Sequence, residues 1–157
     1  MTTSEKRAAY TPALSLRNIS LIILTLAILV SGYLTYVKAT DVAMVCVESA
    51  TFDCGKVQNS AYAEIFGIPI AWLGLATNLL ILALILLEDG VPFLQDYGLI
   101  LTFGVVLFAF LFSIYLVYVQ AVLLNAYCPW CLTHEALITA LFIVVGMQVY
   151  QLFQDTE

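Results

Sequence analysis

Long apolar stretches without acidic or basic residues dominate the pattern of hydrophobic and polar positions along the chain. There are four of them, residues 18–37, 65–87, 97–133 and 136–154. Each is about as long as the roughly 20 residues that a helix needs to cross a bilayer, and the third leaves room for a turn. The pattern therefore predicts an all-α integral membrane fold, a bundle of four antiparallel transmembrane helices.

The predicted chain is one four-helix domain over residues 1–157, with a polar tail and a cysteine loop outside the membrane. Its predicted segments are the tail 1–16, the crossings 17–38, 69–88, 97–124 and 130–153, and the loop 39–68. From Val57 to Phe66 the mixture of apolar and polar residues suits a short helix in the membrane interface. Gly67 is predicted to end that helix, and Pro69 fits the first turn of the next crossing.

A cleaved signal peptide is the alternative interpretation of the first apolar run. Three basic residues, Lys6, Arg7 and Arg17, precede that run. However, the run is longer than the roughly 7–15 residues of a signal h-region, and no clear cleavage site follows it. We therefore interpret it as the first crossing.

Composition supports the membrane class and excludes several functions. The 157 residues are 63% hydrophobic and 10% charged, whereas soluble domains average about half apolar and a quarter charged. The sequence has no phosphate-binding glycine loop, no repeat and no basic cluster. A nucleic-acid partner is therefore not expected.

All four cysteines are predicted to lie on one side of the membrane. Cys46 and Cys54 lie in the first loop, and Cys128 and Cys131 follow the third crossing. In an up-down-up-down bundle these two loops open on the same face. Lys6, Arg7 and Arg17 flank the start of the first crossing, whereas Lys38 and Lys56 lie on the side of the cysteine loop, and three against two favours an inside N-terminus. Stable thiol oxidation also belongs to exoplasmic compartments, so both arguments place the cysteines outside the cytosol.

The Cys-Pro-Trp-Cys sequence at 128–131 has the spacing of a redox pair or of half a metal site. Pro129 suits the first turn of a helix, which places Cys128 near the N-cap. Unpaired N–H groups and the helix dipole favour a thiolate there. Cys131, one turn further on, is expected to face the bundle, where a membrane-dissolved molecule such as a lipid quinone has access.

These motifs together carry a family resemblance. A Cys-x7-Cys loop pair precedes a C-x-x-C at the start of the last helix, Ser60 follows Cys54 by six residues, and "IFGIP" leads into helix two. This order resembles the vitamin K epoxide reductase family over nearly the whole chain. Bacterial members resemble quinone-linked oxidases that drive disulfide formation, whereas vertebrate members reduce vitamin K epoxide. The other bacterial four-helix disulfide oxidase places its C-x-x-C first, so the order here argues against it.

The resemblance implies a role for each cysteine. Cys128 and Cys131 match the active-site pair, with Cys131 facing the quinone. Cys54 matches the cysteine that attacks Cys128, and Cys46 matches the cysteine that exchanges with an outside partner. Electrons are then expected to run through Cys46, Cys54, Cys128 and Cys131 to a quinone of the ubiquinone or menaquinone type.

Five residues are candidates for binding the quinone. Ser60 and Phe66 match positions that the family places around the pocket. Trp130 lies within the cysteine pair, and His134 and Glu135 are ionisable groups at the membrane edge that suit proton transfer. Each of the last three also has an ordinary alternative, as an interfacial aromatic residue, an interfacial histidine or a charge that favours the helix dipole.

Two departures from the vertebrate pattern favour the bacterial oxidase activity. Vertebrate members have an Asn shortly before the Phe-Gly pair and a Tyr four residues after the C-x-x-C, whereas Ala63 and Glu135 stand there in this sequence. Many bacterial relatives carry a fused thioredoxin-like domain, and this sequence stops at Glu157. We therefore expect a separate thioredoxin-fold partner and a bacterial cytoplasmic membrane, with the cysteines on the periplasmic side.

Alternative interpretations of the cysteines remain. Four cysteines on one face suit two structural disulfides in a scaffold or transporter subunit, or a zinc site. Seven residues between Cys46 and Cys54 in a loop suit zinc less well, so no metal is expected. A transporter tends to carry ionisable groups deep in its helices, and the four stretches contain no acidic or basic residue. These points favour a redox enzyme.

Overall fold

The computed structural model describes residues 3–154, with side chains from Leu16 onward. Residues 1–2 of the predicted tail and residues 155–157 lie outside this part. The described helices and strands are α1 (Thr3–Thr40), α2 (Cys54–Gln58), a 3-10 helix (Ala61–Ala63), β1 (Glu64–Ile65), β2 (Ile68–Pro69), α3 (Ile70–Leu87), α4 (Pro92–Tyr118), a π-helix (Val119–Leu124) and α5 (Pro129–Gln154).

Four helical stretches are long and apolar enough to cross a membrane. They are Leu16–Thr40, Ile70–Leu87, Pro92–Leu124 and Pro129–Gln154. Helix α1 packs against α3 and α5, and α4 packs against the same two helices, which gives a four-helix bundle. At most 28% of the most apolar window of any of these stretches is buried inside the bundle, so most of their apolar side chains face outward. The predicted all-α membrane bundle is confirmed.

Two helices begin before the stretches that the hydrophobic pattern predicts. Helix α1 begins at Thr3, so the predicted polar tail continues the first crossing as helix. Helix α4 begins at Pro92 rather than at residue 97, since proline is well suited to the first helical position. Gln95 then donates a side-chain hydrogen bond to the Asp89 carbonyl (3.0 Å), which ties this polar first turn to the preceding loop.

The apolar core and the cysteines occupy different halves of the bundle. The buried apolar cluster joins all four long helices and consists of Leu24, Ile81, Ile85, Val106, Leu141 and Val145. These residues lie toward the end of the bundle that contains the loop between α3 and α4. The cysteines lie at the other end, where polar side chains replace the apolar cluster.

A lid, which we define as residues 41–69, covers the cysteine end of the bundle. The predicted short helix in this loop is present, but helix α2 covers Cys54–Gln58 rather than Val57–Phe66, and the chain then forms a 3-10 turn and a small hairpin. Strands β1 and β2 pair antiparallel, and Phe66 and Gly67 form the turn between them with φ values of 52° and 79°. Two positive φ values in succession are typical of a two-residue hairpin turn, so Gly67 turns the hairpin rather than ending a helix.

The opposite end of the bundle is held by Arg17. Its guanidinium pairs with Asp89 (2.8 Å) and donates to the Ile85 carbonyl (3.0 Å). Burial raises the pKa of the neighbouring Glu88, against the opposing effect of Arg17. This cluster joins α1 to the loop between α3 and α4, far from the lid.

Candidate active site

Cys128 caps the N-terminus of α5. It comes directly before Pro129, the first residue of that helix, and the backbone N–H of Cys131 donates to the Cys128 sulfur at 3.3 Å. This is the position of a side-chain N-cap, as the sequence predicted. The N–H of Cys128 itself donates to the Gln120 side-chain oxygen at 2.9 Å. Gln120 belongs to the π-helical end of α4, so this widened turn anchors the start of α5.

Hydrogen bonds at the start of α5 favour the thiolate form of Cys128. Hydrogen bonding from the Cys131 side chain, followed by the backbone N–H groups of Cys131 and Trp130, lowers the pKa of Cys128. Burial acts in the opposite direction but does not prevail, although Cys128 is fully buried. A thiolate is the nucleophile in disulfide exchange, so Cys128 is chemically competent to react.

The lid carries a disulfide between Cys46 and Cys54, whereas Cys128 and Cys131 are free. A short parallel bridge between Phe52 and Tyr127 joins the lid to the segment before α5. Tyr127 donates to the Thr51 carbonyl (3.0 Å), and Asp53 donates to the Tyr127 carbonyl (3.1 Å). The bridge therefore ties the lid just before Cys54 to the residue that directly precedes Cys128.

A second contact anchors the lid beside Cys46. The Trp130 ring nitrogen donates to the Val45 carbonyl at 2.7 Å, and the Val45 N–H donates to the Tyr33 hydroxyl at 3.1 Å. The rings of Tyr33 and Trp130 pack together with their centroids 4.7 Å apart. Both backbone groups of the residue before Cys46 are therefore held, one from α1 and one from α5. We call Tyr33, Val45 and Trp130 the lid clamp.

A cavity of about 300 Å³ lies between the lid and the helices. Its lining is mainly apolar, with polar groups at a few points. Cys131 lies on its wall together with the polar residues Ser31, Gln58, Ser60, Thr77, Asn78, Ser113, Gln120, His134 and Glu135. Cavities of this size that combine apolar walls with a few polar groups are typical of small-molecule sites.

A buried chain of polar side chains crosses one wall of the cavity. The Ser31 hydroxyl donates to the Ala27 carbonyl (2.8 Å), so it accepts one N–H of Asn78 (3.1 Å). The other N–H of Asn78 is directed at His134 Nε2, 3.0 Å away. The other ring nitrogen of His134, Nδ1, lies 4.0 Å from Glu135 Oε1.

Glu135 continues this chain to Ser113. Its other carboxylate oxygen accepts a hydrogen bond from the Ser113 hydroxyl of α4. Only 7% of Glu135 is exposed, although it is a carboxylate inside the membrane span Pro129–Gln154. Asn78 bonds neighbouring helices, as its position in helix two predicts, and it also lines the cavity.

The cysteine arrangement, the four membrane spans and the cavity agree with a match to a sequence family. The vitamin K epoxide reductase family profile matches residues 18–145, a stretch that holds all four cysteines. The chain belongs to the vitamin K epoxide reductase family. Members of this family are membrane oxidoreductases that couple thiol–disulfide chemistry to a quinone, generally with a thioredoxin-like partner. The protein is accordingly an integral membrane oxidoreductase.

The five candidate quinone residues fall into two groups. Ser60, His134 and Glu135 line the cavity with Cys131. Phe66 does not line it, because the hairpin turn directs its fully exposed ring outward. Trp130 does not line it either, because its ring belongs to the lid clamp.

Sequence reasoning missed four polar residues of the site. Gln58 donates to the Cys131 sulfur at 3.3 Å, Gln120 holds the Cys128 N–H, and Ser31 and Ser113 end the polar chain. The sequence offered one indication of these residues: Ser31, Ser113 and Gln120 are polar residues within apolar runs, and Gln58 lies in the lid. Within residues 3–154, no group of three or more His, Cys, Asp or Glu is placed to hold a metal ion.

Proposed function

We propose that this protein oxidises the thiols of a thioredoxin-fold partner and passes the electrons to a lipid quinone of the ubiquinone or menaquinone type. In the cell this activity supports disulfide-bond formation. The observation that carries the proposal is the position of Cys131. It belongs to the free cysteine pair at the start of α5 and at the same time lies on the wall of the cavity.

The proposed electron path runs through the cysteines from the lid surface to the cavity. Cys46 is partly exposed and is flanked by the exposed Val45 and Val47, which makes it accessible to a protein thiol. Cys54 and Cys128 are 2% and 0% exposed, so exchange between them is shielded from water. Each step is attack of a thiolate on a disulfide sulfur, and the lowered pKa of Cys128 favours its step.

The lining of the cavity fits a quinone head group. Its walls are mainly apolar, while Ser60, His134 and Glu135 supply the polar atoms that would hold the quinone oxygens. A bound quinone takes up two electrons and two protons. Cys131 stands at the wall to supply electrons, and His134 and Glu135 stand beside it to hold and move protons.

Thiol oxidation is favoured over reduction of vitamin K epoxide. Ala63 lines the cavity where vertebrate relatives have an amide, and an alanine side chain offers no hydrogen-bond donor. Because the donors of the vertebrate pattern are replaced, the bacterial activity is the better match. We further propose a bacterial cytoplasmic membrane, with the lid on the periplasmic side.

Quinone reduction by the purified protein in detergent tests this proposal. Under anaerobic conditions, we expect a reduced thioredoxin-fold protein or a small dithiol to drive reduction of a soluble quinone analogue. Cys131→Ala and Cys128→Ala should abolish it. Cys46→Ala and Cys54→Ala should suppress turnover with the protein donor and partly spare turnover with the small dithiol, which is small enough to reach the buried Cys128 when the lid opens transiently.

Thr133→Ala is the matched control, because Thr133 lies in the same turn of α5 and its side chain is exposed. It should reduce quinone at the wild-type rate. No turnover with either quinone type, from folded wild-type protein, would refute the proposed function. Equal losses with both donors in Cys46→Ala would refute the order of the electron path.

A further inference from the structure

A single helical turn of the lid presents two side chains to the cysteine pair of α5. Helix α2 runs from Cys54 to Gln58, and residues four apart lie on the same face of a helix. The turn is fixed at its start, where the Asp53 carboxylate accepts the Lys56 N–H at 2.8 Å. Cys54 is buried at the start of this turn, and Gln58 at its end reaches Cys131.

The Gln58 side chain contacts a reacting sulfur directly. Its amide Nε2 donates to the Cys131 sulfur at 3.3 Å, and the residue lines the cavity. The Lys38 ammonium holds the end of the turn, since it donates to the Gln58 carbonyl (3.3 Å) and pairs with Glu64 (3.4 Å). In a partly buried site of low polarity, a hydrogen bond to an ionised group is stronger than one between neutral groups.

We propose that Gln58 is a catalytic hydrogen-bond donor that stabilises the Cys131 thiolate when Cys54 and Cys128 exchange disulfides. The inference rests on the proposed function, because it assigns a role in that electron path. In the step concerned, the Cys54 thiolate attacks the Cys128 sulfur of a Cys128–Cys131 disulfide. The Cys54–Cys128 bond forms, the Cys128–Cys131 bond breaks, and the electron pair leaves on Cys131. No proton is gained or lost.

Because Cys54 and Gln58 belong to the same helical turn, the attacking sulfur and the hydrogen-bond donor move together. Exchange is faster when the departing thiolate is more stable, and Gln58 stabilises the departing sulfur. The attacking sulfur and the stabilising amide are carried by the same turn, so any movement that brings Cys54 onto Cys128 also positions Gln58 at Cys131. After exchange, the same amide holds Cys131 as a thiolate at the cavity wall.

Alkylation of Cys131 as a function of pH tests the role of Gln58 without any quinone. In a Cys128→Ala background, Cys131 is the only free thiol because Cys46 and Cys54 form a disulfide. Iodoacetamide labelling of the detergent-solubilised protein then reports the pH at which Cys131 ionises. We expect Gln58→Met, which keeps the length of the side chain but has no N–H, to raise this midpoint by about one to two pH units.

Gln58→Glu provides a second, near-isosteric variant. Its carboxylate has no N–H to donate when ionised and repels a thiolate, so we expect a rise at least as large. Asn59→Leu is the matched control, because it removes an amide from the neighbouring exposed residue. It should leave the midpoint unchanged, and all variants should retain the melting temperature of the parent.

Two results would overturn the inference. One is an unmoved midpoint in Gln58→Met; the other is an Asn59→Leu shift as large as that of Gln58→Met, which would assign the effect to disturbance of the lid. Quinone reduction by wild-type protein is measured in parallel. Its absence would overturn the proposed function, whereas an unmoved midpoint beside normal quinone reduction would overturn the role of Gln58 alone.

Discussion

Glu135 is the residue whose position is hardest to explain by stability alone. Ionisable side chains within the membrane are costly and usually serve a function. This carboxyl is buried, bonded by Ser113 and 4.0 Å from His134 Nδ1, yet it lies on the wall of the cavity with Cys131. Asn78 contacts His134 Nε2 on the far side of the ring. These contacts support the proposal that Glu135 holds and moves protons.

We expect Glu135→Gln to separate proton transfer from thiol exchange. The amide oxygen of Gln can still accept the Ser113 hydrogen bond, but the side chain cannot take up a proton. Quinone reduction should fall by about 10²-fold or more, the usual contribution of a positioned general acid or base. Reduction of the Cys46–Cys54 disulfide by a small dithiol, followed by maleimide labelling without quinone, should keep its wild-type rate.

Ser113→Ala keeps the carboxyl and removes only its hydrogen bond, so it is the matched control for this experiment. The loss of one hydrogen bond predicts a decrease of about threefold to tenfold in quinone reduction. Wild-type turnover in Glu135→Gln would show that this carboxyl takes no part in proton transfer.

The lid and α5 act as one element through the lid clamp. Trp130, the residue enclosed by the C-x-x-C, holds the backbone next to Cys46 rather than lining the cavity. The bridge at Tyr127 holds the lid next to Cys54 in the same way. Both cysteines of the lid are therefore positioned by contacts with the segment that carries Cys128 and Cys131.

Trp130→Phe tests whether the lid clamp positions Cys46 for its partner. The Phe ring can still pack against Tyr33, but the 2.7 Å hydrogen bond to the Val45 carbonyl is lost. Loss of one hydrogen bond predicts a rise of about threefold to tenfold in KM for the protein donor. The KM for quinone and turnover with a small dithiol should not change.

Tyr33→Phe, which removes the acceptor of the Val45 N–H, should act in the same direction. Trp72→Phe is the matched control, since it makes the same substitution at an exposed tryptophan at the start of α3. An increased KM for quinone in Trp130→Phe, with an unchanged KM for the protein donor, would show that Trp130 contributes to quinone binding instead.

At the scale of elements, local sequence signals explain the helices but not the lid. Pro129 and the cysteine before it predicted the start of α5, because helix capping depends on adjacent residues. The hairpin at 64–69 was missed because its turn requires a positive φ at Phe66, which a bulky residue rarely adopts. Pairing of two-residue strands depends on the surrounding structure rather than on their own pattern.

At the scale of the whole molecule, the bundle has one apolar half and one reactive half. The hydrophobic pattern predicted the four crossings, since long uncharged runs have few alternatives. It could not predict which polar residues meet across helices. Ser31, Asn78, Ser113 and His134 come from four different helices, and only their packing brings them together into one chain of polar side chains with Glu135.

The division into two ends predicts different accessibility across the membrane. If the lid faces the periplasm, the loop between α3 and α4 must face the cytoplasm, because α3 crosses once between them. In a variant whose four cysteines are alanine, we expect Val47→Cys to react with an impermeant maleimide in intact bacteria. Gly90→Cys should react only after lysis. Both sites are exposed, and a Cβ at Gly90 meets only the Leu87 carbonyl at 3.8 Å, so folding should tolerate the probes. Labelling of Gly90→Cys in intact cells with Val47→Cys protected would reverse the proposed orientation and place the lid in the cytosol, where stable disulfides are rare.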